Sequence, residues 1–494
     1  MTDVAATAAD APAAAGGLVP LSRRRLTLSL SFEWVARGGS VLMGVVVMAL
    51  LSRHLGPGRF GDLSLAFTLV VIAQIAADSG FKQAAIRAAA LDPDGRARIA
   101  ATYVTVRGAL GVALFVVVSG CGLLLARDAE ARTAVVLVAL SLATGFLVSA
   151  GFLLHVRVRN ELFAATVVAQ GALWLAVVAV GVHLGASLVW LAAGYLAVAL
   201  CHATWTFLLS RRLVAFRPAL HRQTARALVR SALPLSAGGL AAVLASRVDA
   251  VLVYAVIDSR AGAFYSAAYR VVDQLQLLPA ALVAMVAPLL TAWQATDRPR
   301  FAAAISRLLR YVLLITVPAA LAVALLASEL TELLYGEGFA ASGRLLAVLS
   351  ASFVFLSLNM LFAAALVALG RARFYAAALV GGLAVNLVAN LVLLPAFGAL
   401  AGAVVSIATQ AGLAAVLLLH LRGRAGVDLD LRPLWRVGLA TAAFAAAALP
   451  LAAAAPLAAA AVGLGAYAAC CLATGAVRTS EIRGLLSRAE VARV

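Results

Sequence analysis

The sequence predicts an all-α integral membrane protein with about fourteen transmembrane helices. Of its 494 residues, 64% are hydrophobic and only 12% are charged, whereas soluble domains average about 45–50% apolar and about 25% charged residues. Apolar runs long enough to cross a bilayer as helices recur along the chain. Basic residues are abundant in every second connection between these runs and scarce in the others. Together these observations exclude a water-soluble enzyme and a disordered chain.

The apolar runs predict the helices in order. A bilayer core of about 30 Å requires roughly 20 apolar residues in a helix. The runs are rich in alanine, leucine, valine and glycine and lack the alternation of barrel strands. They lie near residues 33–52, 62–81, 99–126, 133–154, 162–183, 187–209, 232–256, 262–290, 308–327, 345–369, 374–394, 399–420, 435–450 and 457–477. Residues 1–22 lack the basic start and apolar core of a cleaved signal peptide.

The net charge of +18 reflects topology. It comes from 39 lysine and arginine residues against 21 acidic residues. With the N-terminus inside, twenty-nine of these cations fall in interior segments, six in exterior segments and four within helices. The asymmetry follows the positive-inside rule, so no nucleic acid partner is needed to explain the charge. We therefore expect a multi-pass protein of the bacterial cytoplasmic membrane with both termini in the cytoplasm.

Glycines in the first helices recur two hundred residues later. Gly38 and Gly39 match Gly238 and Gly239, and Gly61 matches Gly262. An even number of helices separates the matched positions, which predicts parallel repeats related by an axis along the membrane normal. The predicted organisation is a disordered cytoplasmic tail (1–27), an N-terminal six-helix lobe (28–209), a basic cytoplasmic linker (210–230), a C-terminal six-helix lobe (231–425), two additional transmembrane helices (426–477) and a cytoplasmic tail (478–494).

Ionisable residues inside the predicted helices are the candidate site residues, because each costs about 2.5–3.5 kcal/mol at the centre of a membrane helix. Arg107 has no acid near it along its helix, so it pairs with another helix or faces a cavity. Arg247 and Asp249 project about 200° apart, so each needs a partner on another helix or a ligand. Three further pairs can meet on one helical face and either neutralise each other or serve a site: Glu33 with Arg37, Asp78 with Lys82, and Arg270 with Asp273.

Several motifs resemble those of polysaccharide-type (Wzx-like) flippases. The matching segments of the first half are 51–61 (LSRHLGPGRFG), 63–66 (LSLA) and 77–81 (ADSGF). Those of the second half are 233–236 (LPLS), 246–249 (SRVD), 262–270 (GAFYSAAYR), 334–339 (LYGEGF) and 395–402 (PAFGALAG). The resemblance covers roughly residues 30–425. It places the chain in the superfamily that also holds multidrug exporters of the MATE type and lipid II flippases.

The resemblance implies two six-helix lobes around a central cavity, with two extra helices at the C-terminus. It also implies a transporter rather than an enzyme, which moves undecaprenyl-pyrophosphate-linked oligosaccharide repeat units to the outer leaflet by alternating access for polysaccharide biosynthesis. The expected partners are this lipid-linked oligosaccharide, membrane lipids, and the polymerase and glycosyltransferases of the same pathway. The glycan, the coupling ion and the oligomeric state are left open.

A pyrophosphate substrate assigns roles to the intramembrane charges, because arginine offers a fork of donors to phosphate oxygens. The candidate pyrophosphate-binding residues are Arg37, Arg107, Arg247 and Arg270. The candidate coupling or charge-pair acids are Glu33, Asp78, Asp249 and Asp273.

Other functions are alternatives at this stage. A P-loop ATPase is excluded, because Lys82 is the only lysine and it follows Phe81. The histidines show no metal-ligand spacing, so we expect no metal and no cofactor. A cation-coupled multidrug exporter and a lipid II flippase stay open within the superfamily. A membrane polymerase or glycosyltransferase is disfavoured, because no exterior connection is much longer than 328–344.

Overall fold

The computed structural model describes residues 23–78, 80–156, 160–432 and 434–476. The first 22 residues and the predicted C-terminal tail lie outside this part, and so do the side chains of Glu33 and Arg37. The first helix begins at Arg23, so residues 23–27 of the predicted tail are helical. Neither proline nor glycine occurs between residues 23 and 37 to interrupt that helix.

The described part of the chain is built from α-helices. Those that precede residue 214 are α1 (Arg23–Asp78), α2 (Phe81–Leu91), α3 (Arg96–Leu125), α4 (Ala129–Ser149), α5 (Phe152–Val156), α6 (Asn160–His183) and α7 (Leu188–Leu213). The next are α8 (Arg222–Val256), α9 (Ser259–Leu275), α10 (Leu277–Thr296), α11 (Arg298–Leu325), α12 (Ala327–Tyr335), a 3-10 turn (Glu337–Phe339), α13 (Ala340–Ala368), α14 (Ala372–Phe397) and α15 (Ala399–Arg422). The last are α16 (Leu434–Ala452) and α17 (Pro456–Ala473).

The prediction of about fourteen membrane crossings is confirmed. Thirteen helical segments of the described residues are long and apolar enough to span a bilayer. The first of these contains a break at Gly56, whose φ of 66° lies in the left-handed region, and Pro57 follows directly. That segment therefore supplies two crossings. The predicted run 262–290 differs in detail, because two helices, α9 and α10, meet there at Gln276.

Side-chain caps begin several of the helices. Asp128 accepts a hydrogen bond from the backbone N–H of Ala131 at 2.8 Å, and Asp258 accepts one from that of Ala261 at 2.6 Å. Each cap satisfies a backbone donor that the first helical turn leaves free. The Ala131 bond, together with neighbouring Arg59, holds the pKa of Asp128 below its usual value.

The helices form two six-helix lobes, and α16 and α17 pack beside the second lobe. The core around α1 also includes Ala267 and Phe339 of the second lobe. The cores contain leucine, valine, alanine and aromatic side chains. The cluster that contains Phe444 of α16 packs against Leu314 and Leu321 of α11. Gly463 of α17 faces the Phe444 ring, where a methyl group would lie 2.9 Å from it. Small residues allow this close approach, on which helix association in lipid depends.

The segment predicted as a basic linker is packed against the first lobe. Phe216 and Leu228 are buried among residues that include Ala85 and Tyr103. Its second part is helical, since α8 begins at Arg222. These apolar anchors hold the connection to the end of the lobe, which the count of arginines alone does not reveal.

Candidate functional site

The two lobes meet at one end of the bundle in a contact that we call the seam, formed by residues 52–62, 254–262 and 333–339. The Tyr254 hydroxyl donates a hydrogen bond to Asp62 Oδ1 at 2.7 Å, and both side chains are buried. Phe60 and Phe339 pack edge to face with ring centroids 5.4 Å apart. Polar and aromatic contacts thus join the first lobe to the second at this end.

The seam is also closely packed along the backbone. A Cβ atom on Gly61 would overlap the backbone carbonyl oxygen of Ser259, so only glycine fits there. Arg127 Nη2 donates a hydrogen bond to the Ile257 carbonyl at 2.7 Å across the lobes. Gly61 and Gly262, which the sequence pairs by their offset, both line the space beside this contact.

Away from the seam the first lobe becomes exposed. Residues 60–67 of α1 are buried, whereas Gln74, Ile75 and Asp78 of the same helix are exposed. We call this opposite end, where α11 begins and α13 ends, the open end. The lobes are therefore in contact at the seam and diverge toward the open end.

A cavity of about 380 Å³ lies between the lobes. Ser40, Gly44 and Met48 of α1 line it from the first lobe. The second lobe contributes Arg270 and Gln274 of α9 and Tyr335 of α12. Within the described residues no acid lies within 4 Å of the Arg270 guanidinium group. The cavity therefore contains a cation that forms no ion pair with the described residues.

The acid that could neutralise Arg270 pairs with a different arginine. Asp273 Oδ2 lies 2.6 Å from Arg247 Nη1, and the two side chains are about one quarter exposed. Of the two readings that the sequence left open for Arg270 and Asp273, direct mutual pairing is not observed, because Asp273 pairs with Arg247. Because α8 packs against α9, Arg247 lies closer to Asp273 than Arg270 does, although Arg270 is on the same helix as Asp273. Arg247 also lies over the Tyr269 ring at 5.6 Å.

Asp249 lies in a buried cluster of neutral polar groups. Asn390 Nδ2 donates a hydrogen bond to its Oδ1 at 2.9 Å, and the Tyr265 hydroxyl donates one to its Oδ2 at 3.2 Å. Asp249 is 1% exposed. Asn390 Nδ2 also lies 3.1 Å from Asn386 Oδ1. No cation of the described residues lies within 4 Å of this carboxylate. Such a group can carry a proton or bind a small cation.

Arg107 pairs across helices with Asp78, so Asp78 has a partner other than Lys82, which the spacing had allowed it to meet. Arg107 Nη2 lies 2.7 Å from Asp78 Oδ1, and Arg107 is buried while the Asp78 side chain is 56% exposed. Lys82 lies instead over the Phe163 ring, 4.8 Å from its centroid. The ion pair therefore joins the end of α1 to α3.

We expect the Asp78→Asn substitution to lower the free energy of unfolding by about 1 to 3 kcal/mol, because it leaves the buried Arg107 charge without its partner. Arg87→Gln, which removes a charge at an exposed position of α2, is the matched control and should change it by less than about 0.5 kcal/mol. Thermal unfolding of the purified variants in detergent measures both effects. Equal losses in the two variants would contradict the observed pairing.

Some participants were not anticipated from the sequence. Tyr335 lines the cavity and donates a hydrogen bond to the Ala267 carbonyl at 3.1 Å. Its only signal was its place in the 334–339 motif. Among the residues that the structure describes, no three His, Cys, Asp or Glu side chains are grouped to hold a metal ion.

The fold and the cavity define a class of protein: a two-lobed, multi-pass membrane protein with a cavity between its lobes. The chain belongs to the polysaccharide biosynthesis protein family, whose model matches residues 50–344. A search of curated proteins finds no match to the sequence.

Solved structures share the fold. The structure is similar to the lipid II flippase MurJ in an inward closed conformation, with a TM-score of 0.75 and 12% identity, over 89% of this chain and 98% of that one. It is also similar to a multidrug resistance MATE family transporter of the MOP superfamily in an inward-facing conformation. That match has a TM-score of 0.65 and 15% identity, over 78% of this chain and 94% of that one. The outward-facing conformation of a MATE family transporter gives a TM-score of 0.54 at 16% identity, over 81% and 94% of the two chains.

Proposed function

We propose that this protein is a flippase that moves undecaprenyl-pyrophosphate-linked oligosaccharide repeat units from the cytoplasmic to the outer leaflet. The observation that carries the proposal is Arg270, a cation in the inter-lobe cavity without a described acid in ion-pair distance. Membership of the polysaccharide biosynthesis protein family supports a glycan-linked substrate. The similarity of fold to a lipid II flippase supports the transport of a lipid-linked cargo.

The cavity chemistry favours a pyrophosphate over a cationic drug. Arg270 presents its guanidinium fork to phosphate oxygens, and Gln274 adds an amide one turn further along α9. Asp273 is occupied by Arg247, so the cluster of these three charged residues keeps a net positive charge. In a site shielded from bulk water this charge attracts an anion strongly. A multidrug exporter for cations would require the opposite polarity.

The orientation follows from the distribution of arginines. Because basic connections face the cytoplasm, we place the open end there and the seam at the outer surface. The substrate then enters the cavity from the cytoplasmic leaflet while the seam is closed. Opening of the seam and approach of the lobes at the opposite end would release it outside, which is alternating access of two repeats. The lobe boundaries at 28–209 and 231–425 are part of this proposal.

The membrane potential favours export. Moving two negative charges outward from a negative interior is downhill by about 4–5 kcal/mol per 100 mV. Asp249 supplies a second coupling route, because a buried carboxylate surrounded by amide and hydroxyl groups can bind a proton or a small cation in one state and release it in the other. The polymerase and glycosyltransferases of the pathway would act on the substrate before and after its transfer.

We expect Asp249→Asn to slow substrate transfer by about 5- to 150-fold, the range typical of a lost coupling free energy. The amide keeps a hydrogen-bond acceptor for Tyr265 but cannot carry the charge. Transfer measured in vesicles with imposed proton or sodium gradients should also lose its response to those gradients. Asp92→Asn, in a surface connection, is the control. A variant that responds to the gradients as the native protein does would exclude Asp249 from coupling.

The function itself is tested by depletion of the protein in its native host. We expect the pyrophosphate-linked oligosaccharide to accumulate in the cytoplasmic leaflet, where added glycosidases do not reach it in intact cells. Accumulation of lipid II instead would identify the other flippase substrate. Unchanged lipid intermediates together with increased drug sensitivity would support the multidrug exporter.

A further inference from the structure

A second cavity, of about 630 Å³, lies at the open end of the second lobe. It shares no lining residue with the cavity between the lobes. One wall is the first three turns of α11, and the other is the connection 426–430 between α15 and α16. We call it the lobe-end cavity. The transport proposal makes no use of it.

The α11 wall is basic. The lining residues of this helix recur at the spacing of one helical face, and they include Arg307, Arg310 and Ser306, with Arg298 at the helix start. Asp297 caps the helix by accepting a hydrogen bond from the Arg300 backbone N–H at 2.9 Å. Three arginines are thus aligned along one side of a cavity whose floor includes the buried ring of Phe301.

The opposite wall carries acids. In the connection, Val427 and Leu429 are buried while Asp428 and Asp430 are exposed and line the cavity. The Asp430 backbone N–H donates a hydrogen bond to Ser306 Oγ at 3.1 Å, which ties the connection to α11. Asp428 has no ion-pair partner within 4 Å among the described residues. The basic and acidic walls therefore face each other across the cavity, and Asp428 is not matched by a cation of the described residues within ion-pair distance.

The lobe-end cavity lies at the level of lipid headgroups. Trp293 lies in the last turn of α10 and Trp435 in the first turn of α16, both at the open end, and tryptophan is enriched where membrane helices meet the interface. Arg300 lies over the Trp293 ring at 4.7 Å, and Arg436 lies near the Trp435 ring at 5.7 Å. The Trp435 side chain is exposed. A ligand in this cavity can therefore come directly from the adjacent leaflet.

We propose that the lobe-end cavity binds the headgroup of a zwitterionic phospholipid, with its phosphate on the α11 arginines and its ammonium group at Asp428 and Asp430. Arginine matches phosphate oxygens with paired donors, and basic pockets between membrane helices bind lipid headgroups. An anionic lipid without an amine would leave the two aspartates unmatched. Because the bound headgroup would join α11 to the connection before α16, the lipid stabilises the attachment of the last two helices.

The test uses the purified full-length chain in detergent, with lipid binding measured by native mass spectrometry. We expect phosphatidylethanolamine to bind at least about tenfold more tightly than phosphatidylglycerol. The double variant Arg298→Gln/Arg307→Gln should weaken phosphatidylethanolamine binding at least about tenfold. Arg226→Gln, an exposed arginine outside the cavity, is the control and should bind as the native chain does.

The acidic wall has its own variant. Asp428→Asn should reduce the preference for phosphatidylethanolamine over phosphatidylglycerol, and because Asp428 is exposed the fold should be retained. Equal affinity of the native chain for the two lipids, or an unchanged affinity in the double arginine variant, would overturn the proposal. Soluble phosphoethanolamine binding as tightly as the lipid would overturn the assignment to a membrane lipid. Binding needs no transport, so either proposal can fail without the other.

Discussion

We expect the Arg270→Gln substitution to abolish polysaccharide export while the protein still reaches the membrane. Arg270 lines the inter-lobe cavity. Asp273, which lies one helical turn further along α9, is paired with Arg247. Loss of two charge-assisted hydrogen bonds to a phosphate weakens binding by about 3 kcal/mol or more, which is about a hundredfold. Surface polymer in a strain that carries only the variant measures export, and an immunoblot of the membrane fraction measures the protein.

Two variants separate a specific role from a general loss of charge. Arg270→Lys keeps the positive charge but not the fork of donors, so it should retain partial export. Arg344→Gln removes an exposed arginine near the seam and should leave export unchanged. Normal export with Arg270→Gln would remove this residue from the substrate site.

The Gly61→Val substitution should prevent the seam from closing. A side chain at this position would overlap the Ser259 carbonyl oxygen, and both backbones belong to packed helical elements that cannot withdraw easily. Overpacking of this kind typically costs about 1–3 kcal/mol, which shifts the balance of two conformations by about 5- to 150-fold. The seam-closed state should therefore be depleted and export should fall by a comparable factor.

The state of the seam can be read from outside the cell. In a chain whose four native cysteines are replaced, Thr68→Cys places one thiol beneath the seam. An impermeant thiol reagent added outside should label it slowly in the native background and quickly with Gly61→Val. Gly58→Val is the matched control, because a side chain there meets no atom within 4 Å. Equal labelling in both valine variants would contradict a gate at Gly61.

The helical membrane architecture was predictable because it depends on local sequence patterns and on averages over many residues. Membrane crossings follow from apolar length summed over about twenty residues, so errors at single residues hardly matter. The offset of about 200 residues between Gly61 and Gly262 indicated a repeat in the sequence. The kink at Gly56 follows from a glycine directly before a proline.

Charge partners were less predictable, because a helix has several neighbours at ion-pair distance in space. Spacing along one helix allows Arg270 to meet Asp273 and Asp78 to meet Lys82. The structure instead pairs Asp273 with Arg247 and Asp78 with Arg107, each from a different helix. Two sequence signals did indicate partners on other helices: Arg107 has no local acid, and Arg247 and Asp249 project too far apart to pair with each other. Which residue of a neighbouring helix lies opposite a given charge depends on helix packing, and sequence spacing along one helix does not predict it.

Transfer of a defined substrate by the purified protein tests the central claim most directly. The native chain is reconstituted in vesicles that contain a fluorescent undecaprenyl-pyrophosphate-linked oligosaccharide, and an enzyme added outside reports each molecule that reaches the outer leaflet. We predict protein-dependent transfer that is accelerated by a potential driving negative charge toward that leaflet. We also predict that Arg270→Gln lowers the rate at least about a hundredfold. Equal rates for native protein, Arg270→Gln and protein-free vesicles would contradict the account.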